Sequence, residues 1–493
     1  MKTFLIIPMG GKGQRFLTAG YKVYKPFLKI TKKMRIIDGI IKNFDIKKTE
    51  IIIIGNRKRI KKKYLNFKNK LHFINITNHK IGPLYSIFLA RRKIESIVNN
   101  NSCFICYSDI NWRWDWQKVK KFIKTKKAVV FTHNGFHPHL EINNKSDFCS
   151  IKKKNIIDIK EKKLFGPDYK KNFLAIGCYY FKSFSLIKQH MTIFKNKTKF
   201  NKEFYLVSLI KSLIKNEIGV NFFNIKNFVH LGMPSQYEDF RNWQDILVDN
   251  LNTSLKFKNQ NIMLMAGKGK RIKKTGQKKP FLKINKRNIY EYIFRKFGTK
   301  KNYIITNKNY SSKLKDKFKT FDIGESNSMF KTIEKAKLFL KNKKQYWLTS
   351  CDCYGNFNRK EFLKFLKQKK PDVVIFAYKF SILQKILTNA HTAIMFKNNK
   401  LDSISVKNNS HKNTFGHAGF FWIKDYKVFK FIEKFRKNTK INREILVDDY
   451  FKYLFDSKKQ VVKCFMLSNY VHIGSLKEYY ELRYWENYFN FKK

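Results

Sequence analysis
The sequence predicts an α/β protein of two tandem domains, each with a mostly parallel sheet and helices on both faces. Three observations lead there. Short β-rich apolar runs alternate with helical patterns, as in a parallel sheet covered on both sides. The opening run ends in a glycine-rich basic loop, Gly10-Gly11-Lys12-Gly13-Gln14-Arg15, and a close copy, Gly267-Lys268-Gly269-Lys270-Arg271, stands far downstream. Both loops are followed by the same string, KPFLKI, at 25–30 and 279–284.

Taken in order, FLIIPM, IIIIG, CFICYSD and AVVFT read as buried strands, and IIDGIIKNF, LYSIFLARRKIESIV and WQKVKKFIK as helices. The repeat keeps its order further on. SCFICYSD, ending at Asp109, corresponds to QYWLTSCD, ending at Asp352. AIGCYYFKS around Gly177 corresponds to GHAGFFWIKD around Gly419, and VHLGMPSQYEDF to VHIGSLKEYYEL. A period the size of a domain means tandem duplication rather than a solenoid. The expected domains are 1–248 and 261–493, joined by the polar stretch DNLNTSLKFKNQ at 249–260.

A chain of 493 residues is too long for one ordinary domain. With 43% hydrophobic and 16% aromatic residues it has ample core-forming side chains. No apolar run reaches the length of a membrane span. TFLIIPM is too short for a signal segment and reads as a first strand, so a cytoplasmic location is expected. The seven cysteines fit reduced thiols in or beside strands, not a disulfide framework. The formal charge of +70 has two readings, a nucleic-acid-binding protein without catalysis or compositional drift of an AT-rich genome. Lysines spread along the whole chain favour drift. Either way the charge draws small anions towards a cleft. His133, His137 and His139 have no cysteine or carboxylate at ligand spacing except Glu141, and read as strand-and-loop residues.

Glycines let the backbone approach a phosphate and aim N–H groups at it. Here Lys12 is followed by Gly13, not Ser or Thr, which fails a Walker loop, and Phe16 stands where a dinucleotide fingerprint needs glycine. A loop ending in an arginine placed on a triphosphate remains, with Arg15 and Arg271 suited to it; a basic surface turn is the plain alternative. Proline holds the residue before it extended, so Lys25 and Lys279 project in a fixed direction. Asp109 and Asp352, each ending a strand, offer a hard oxygen ligand for Mg²⁺ or, more simply, a turn or helix cap. In parallel sheets ligands bind beyond the carboxyl ends of the strands, so loop, lysine and aspartate are expected in one crevice. Asp115 is a second nearby carboxylate, but Trp112, Trp114 and Trp116 around it look like packing. Together these groups suit attack by a phosphate on a nucleoside triphosphate, which needs positioning and charge neutralisation but no general base.

PMGGKGQRF…GYKVYKPFLKI resembles the opening of the sugar nucleotidyltransferases, the nucleoside-diphosphate-sugar pyrophosphorylases. The similarity runs on through IGPLYSIFLAR, YSDINWRWD, HPHLEI, IKEKK, AIGCYYFK, EFYLV and HLGMP, over most of 1–245, and more faintly over 258–493. The resemblance implies a Rossmann-like fold of GT-A type and transfer of a nucleotidyl group from an NTP to a sugar 1-phosphate, with Mg²⁺ and release of pyrophosphate. It implies that Gly10, Gly11, Gly13 and Arg15 hold the triphosphate, that Lys25 contacts the phosphates and that Asp109 binds the metal. Gly82 would lie near the nucleobase or sugar, Glu161 and Lys162 at the sugar and its phosphate, and Gly177 close to the sugar. In the second half Gly267, Gly269, Arg271 and Lys279 match the nucleotide residues and Asp352 the metal ligand.

Departures from the family pattern matter. Where many members have a second metal-binding aspartate, this chain has His230, and His472 in the second half. The segment from Arg271 to Lys279 is short and lacks a counterpart of Gly20-Tyr21; Val406 replaces Glu161, while Lys407 matches Lys162. The first domain is expected to be active, and the second either active on a different acceptor or degenerate. A cytidylyltransferase acting on a non-sugar phosphate such as phosphocholine uses the same loop. A GT-A glycosyltransferase wants Asp-x-Asp, against Ser108-Asp109-Ile110 and Cys351-Asp352-Cys353 here. The expected partners are an NTP and a small phosphorylated acceptor, with surface polysaccharide as the destination and a homo-oligomer compatible with it.

Overall fold
The apolar runs of the first unit become strands β1 (Thr3–Met9), β2 (Thr49–Gly55), β3 (Leu71–Asn75), β4 (Ser102–Cys106), β5 (Ile110–Arg113), β6 (Ala128–His133), β7 (Phe148–Lys152), β8 (Asn155–Lys160), β9 (Phe173–Phe181), β10 (Val220–Asn224) and β11 (Asn227–His230). The structure, a computed structural model, describes the chain apart from residues 1, 46, 142–145, 192–202, 251–252, 268, 270–271, 273–275, 285–286, 300, 316, 387–390, 399, 409–413 and 491–493. By its internal contacts the chain divides into 1–241 with 487–493, and 242–486.

In the first unit one sheet runs β3-β2-β1-β4-β9-β6-β10-β8-β7, and β5 pairs with β11. The pairs β1–β2, β1–β4, β2–β3 and β6–β10 are parallel. The expectation of a mostly parallel sheet is corrected, because β9 lies antiparallel between β4 and β6 and the hairpin β7–β8 is antiparallel too. The lysine-rich stretch between β7 and β8 turns the chain back, with Lys153 in the left-handed region at φ 54°. β8 returns beside the sheet edge, and β9, after it in the chain, fills the middle of the sheet in the reverse sense.

Strands buried on both faces read as unbroken apolar runs, and Ile51 to Ile54 are fully buried. On one face the helix Pro83–Val98 sets Leu84, Ile87, Ala90, Ile94 and Val98 into the core at three- and four-residue spacing. Each of the leucine, isoleucine and valine side chains contributes about 1.5–3 kcal/mol when fully buried. Elsewhere in the unit Phe44, Phe104, Phe131, Trp112 and Trp114 pack together, with Trp114 4.9 Å from the Phe131 ring. Trp114 Nε1 donates to the Asn43 carbonyl at 2.7 Å, and Asp115 caps the helix Trp116–Ile123 by accepting from Gln117 N and Lys118 N. The tryptophans are therefore packing and Asp115 is a cap.

The second unit holds β12 (Gln260–Leu264), β13 (Lys283–Ile284), β14 (Arg287–Asn288), β15 (Asn302–Thr306), β16 (Lys319–Asp322), β17 (Lys344–Ser350), β18 (Cys353–Asn356), β19 (Val373–Tyr378), β20 (Ala393–Lys397), β21 (Lys400–Ser405), β22 (Phe415–His417), β23 (Phe420–Asp425), β24 (Val462–Met466) and β25 (Asn469–His472). Its main sheet runs β16-β15-β12-β17-β23-β19-β22-β20-β21, with β24 on β19, and β18 pairs with β25. Here too the parallel half is interrupted by an antiparallel strand, β23, between β17 and β19. Its own core gathers residues such as Ile262, Leu348, Ile375 and Phe421.

All seven cysteines are free thiols, six of them within strands. Among the described residues no helix is long and apolar enough to cross a membrane.

Candidate active site
Strand β1 ends at Met9, and the glycine loop follows at once. Gly10 has no room for a side chain. A Cβ there would come within 2.8 Å of Ser86, His79 and Ile76. Gly11 bridges to His79 and faces open space, and Gly13, at φ 63°, begins the short helix Gln14–Thr18. Tyr24 staples the loop from behind, its hydroxyl donating to the Met9 carbonyl at 2.8 Å and the Gly11 carbonyl at 2.9 Å. Arg59 lies 5.0 Å from the centre of the Tyr24 ring, a cation–π contact, and reaches Gly11 O at 3.4 Å. Arg15 is exposed on the helix, and its charge is felt at His230.

Lys25 opens the turn Lys25–Phe27, with Pro26 buried beneath it. Its Nζ donates to Asp109 Oδ2 at 2.8 Å. Asp109 follows β4, and its carbonyl accepts from Leu231 N at 2.7 Å, which brings His230, paired with Ile110, beside it. Burial by itself would raise the Asp109 carboxyl; the Lys25 ammonium and His230 outweigh it and hold the group at about 2. It is therefore an anion at any physiological pH. The structure thus brings Lys25, Asp109 and the loop together at the strand ends. One carboxylate fits Mg²⁺, which commonly keeps waters and binds through one or two carboxylates plus substrate phosphates. The imidazole of His230 is a poorer partner for so hard an ion.

The residues predicted for the acceptor are placed as follows. Gly177, on β9 at φ 86°, accepts on its carbonyl from Tyr107 N at 2.9 Å, and a Cβ there would strike the Tyr107 ring at 2.7 Å. Tyr107 is two residues from Asp109, so Gly177 lies near the strand end that Asp109 follows. Glu161 and Lys162 follow β8; their charged groups are 3.8 Å apart, and Lys162 Nζ sits 4.7 Å from the Tyr205 ring. Lys162 is in the left-handed region at φ 52°, and its N–H donates to Asp147 Oδ1 at 3.2 Å. Gly82 caps the helix Pro83–Val98 at φ 96°, where a Cβ would fall 2.5 Å from the Phe204 carbonyl oxygen. Its need for glycine is thus met by backbone packing.

Sequence reasoning missed Tyr24, Arg59, His79 and Asp147. Asp147 is pushed up to about 6 by burial, against the Lys162 N–H, with Glu161 adding to the rise. A carboxyl raised on folding from 3.8 makes the folded state hold its proton more tightly. Its stabilising protonation is complete below pH ~4 and is lost as pH rises through ~6. Above that, the partly buried anion disfavours the fold by roughly 1–3 kcal/mol. Asp147→Asn is expected to raise the melting temperature at pH 8 and leave it unchanged at pH 4. Equal shifts at both pH values would refute this account of Asp147. His133, His137 and His139 are buried, with His139 Nε2 3.1 Å from Asp239, as befits interior residues.

The second unit repeats much of this. Gly267 bridges to Ser326 as Gly11 does to His79, and Gly269 lies at φ 62°. Arg271 lies outside the described residues. Lys279 pairs with Asp352, whose other oxygen accepts from Ser350 Oγ at 2.6 Å. Burial again opposes, and Lys279 and His472 again prevail, so Asp352 is held at about 2. Lys407, at φ 54°, donates its N–H to Thr392 Oγ1 at 3.4 Å, as Lys162 does to Asp147. The loop, Lys279, Asp352, Lys407 and Gly419 line one cleft of about 840 Å³.

The glycine loop, Lys25 and Asp109 lie together where strands of an α/β sheet end. Residues 5–246, just under half of the chain, match the family described as nucleotidyl transferase. Among solved structures the chain is similar to the nucleoside-diphosphate-sugar pyrophosphorylase from Vibrio cholerae RC9, at 15% identity over 48% of this chain and 99% of that one, TM-score 0.39. It is similar to the inositol-1-phosphate CTP transferase from T. maritima, at 14% identity over 49% and 95%, TM-score 0.38. A UDP-glucose pyrophosphorylase from Acinetobacter baumanii is similar at 14% identity over 51% and 96%, TM-score 0.40. No curated protein matches the chain.

Proposed function
We propose that the first unit joins an NTP to a sugar 1-phosphate, or a comparable small phosphorylated acceptor, and releases pyrophosphate. The observation that carries this reading is the Lys25–Asp109 contact of 2.8 Å beside the glycine loop. An acceptor phosphate oxygen attacks the α-phosphorus, a P–O bond forms, and the bond to the leaving pyrophosphate breaks. The acceptor is already an anion, so no residue need take a proton. The loop N–H groups and Arg15 hold the triphosphate, and Lys25 offsets the charge that builds on the phosphates. Asp109 would hold Mg²⁺, which when bound supplies further charge neutralisation at the phosphates. Glu161, Lys162 and Gly177 orient the acceptor, with Lys162 fixed by Asp147.

We read the second unit as a diverged duplicate. Two parallels support this: the matched left-handed lysines, Lys162 and Lys407, and the matched ion pairs, Lys25–Asp109 and Lys279–Asp352. The free thiols suit a reducing cytoplasm, and surface polysaccharide as the product's destination rests on the family resemblance. The test is pyrophosphate release from each common NTP paired with sugar 1-phosphates and small phosphoesters, with Mg²⁺, on wild type and on Lys25→Ala and Lys279→Ala. One productive pair, lost in Lys25→Ala and kept in Lys279→Ala, is expected. Silence across the panel, or loss only in Lys279→Ala, would sink the reading.

A further inference from the structure
In the second unit three ligand-type atoms converge where the cleft deepens. One ring nitrogen each of His391 and His472 and a Glu478 oxygen all lie within 4.8 Å of one another. Glu478 Oε1 is 2.8 Å from His472 Nδ1 and 3.4 Å from His391 Nε2. On a tetrahedral ion with bonds of about 2.1 Å, neighbouring ligand atoms sit about 3.4 Å apart, so little movement separates this arrangement from coordination.

The outer partners are placed as metal-bound histidines require. A ligating imidazole typically gives its other nitrogen to a carboxylate or hydroxyl, which fixes the tautomer. His472 Nε2 faces Asp352 Oδ2 at 3.6 Å, and His391 Nδ1 faces the Tyr378 hydroxyl at 3.4 Å. Glu478 is steadied on its far oxygen by Ser475 Oγ at 2.9 Å and Gly474 N at 3.1 Å. His391 is 6% exposed by its side chain, and its Nε2 faces the Glu478 carboxylate. Both histidines line the cleft while Glu478, 3% exposed, lies behind them. Six residues after His230 the first unit has Gln236, not a carboxylate; the ligand set belongs to the second unit.

We propose that His391, His472 and Glu478 bind one divalent transition-metal ion of the zinc class, with its open position facing the cleft. Two imidazoles and one carboxylate are the donors such an ion takes, and they disfavour Mg²⁺. The site is distinct from the carboxylate position at Asp352, which orients His472 from outside.

The test uses the full chain, stripped with a chelator and titrated with Zn²⁺ alone, with Co²⁺ as an absorbing substitute. One ion per chain is expected, with ligand-field absorption from Co²⁺. Glu478→Gln and His472→Asn should each weaken Zn²⁺ binding by about a hundredfold or more, and Asp352→Asn by about ten- to a hundredfold. His230→Asn, in the first unit, should leave it unchanged. Zn²⁺ binding that survives both Glu478→Gln and His472→Asn overturns the proposal, as does no retained ion. If Glu478→Gln does not fold by circular dichroism, His472→Asn decides alone, because that side chain is 20% exposed. The readout is ion binding, so it is independent of whether the second unit turns over a substrate.

Discussion

Lys25→Ala is expected to slow pyrophosphate release at least about a hundredfold, close to the 3 kcal/mol or so that one positioned charge-stabilising group is worth in such sites. Asp109→Ala should do the same. Interpretation needs a control, since removing Lys25 leaves a partly buried Asp109 without the ammonium 2.8 Å away. An uncompensated charge destabilises the fold as well as the reaction. The double variant Lys25→Ala/Asp109→Asn removes both charges and should recover stability while staying inactive. Near-normal turnover in Lys25→Ala, measured on protein shown to be folded, would take both residues out of the proposed chemistry.

Gly82→Ala is expected to destabilise the first unit by about 3 kcal/mol or more. Two independent penalties act there. The backbone is at φ 96°, and the new methyl would lie 2.5 Å from the Phe204 carbonyl oxygen and 2.7 Å from its nitrogen. Backbone cannot step aside as a flexible side chain can, so the clash adds to the strain of an unfavoured φ. Gly11→Ala is the matched comparison. Nothing lies within 4 Å of a Cβ at Gly11, and its φ is not in the left-handed region. It should leave the melting temperature unchanged yet raise KM for the nucleotide by closing the approach to phosphate. If Gly11→Ala alters neither stability nor KM, the loop does not meet the triphosphate at that residue.

What could be read in advance was what local sequence encodes. The strand runs, the glycine loop, the Lys-Pro turn and the aspartate after β4 each carry their geometry within a few residues. The reverse sense of β9 was not readable, because FLAIGCYYF is as apolar as its neighbours and its direction is decided by the hairpin before it. Asp147 stands in the polar stretch NNKSD with no pattern of its own; its place depends on Lys162 reaching back to it. Glu478 likewise looks like an ordinary first-turn helix acid until His391, from another strand's approach, is seen against it.

The salt bridge between Lys25 and Asp109 also decides what the resting cleft ignores. A chain with a formal net charge of +70 draws small anions from solution. A lone phosphate arriving at this cleft must pull the lysine from a carboxylate it already satisfies, and it leaves that carboxylate stranded. A polyphosphate that travels with its own counter-cation lets the pair give way at both ends together, ammonium to phosphate and carboxylate to cation. On the proposed function, the pair would act as a coincidence filter, quiet to abundant bare anions and responsive to a cation-bound nucleotide.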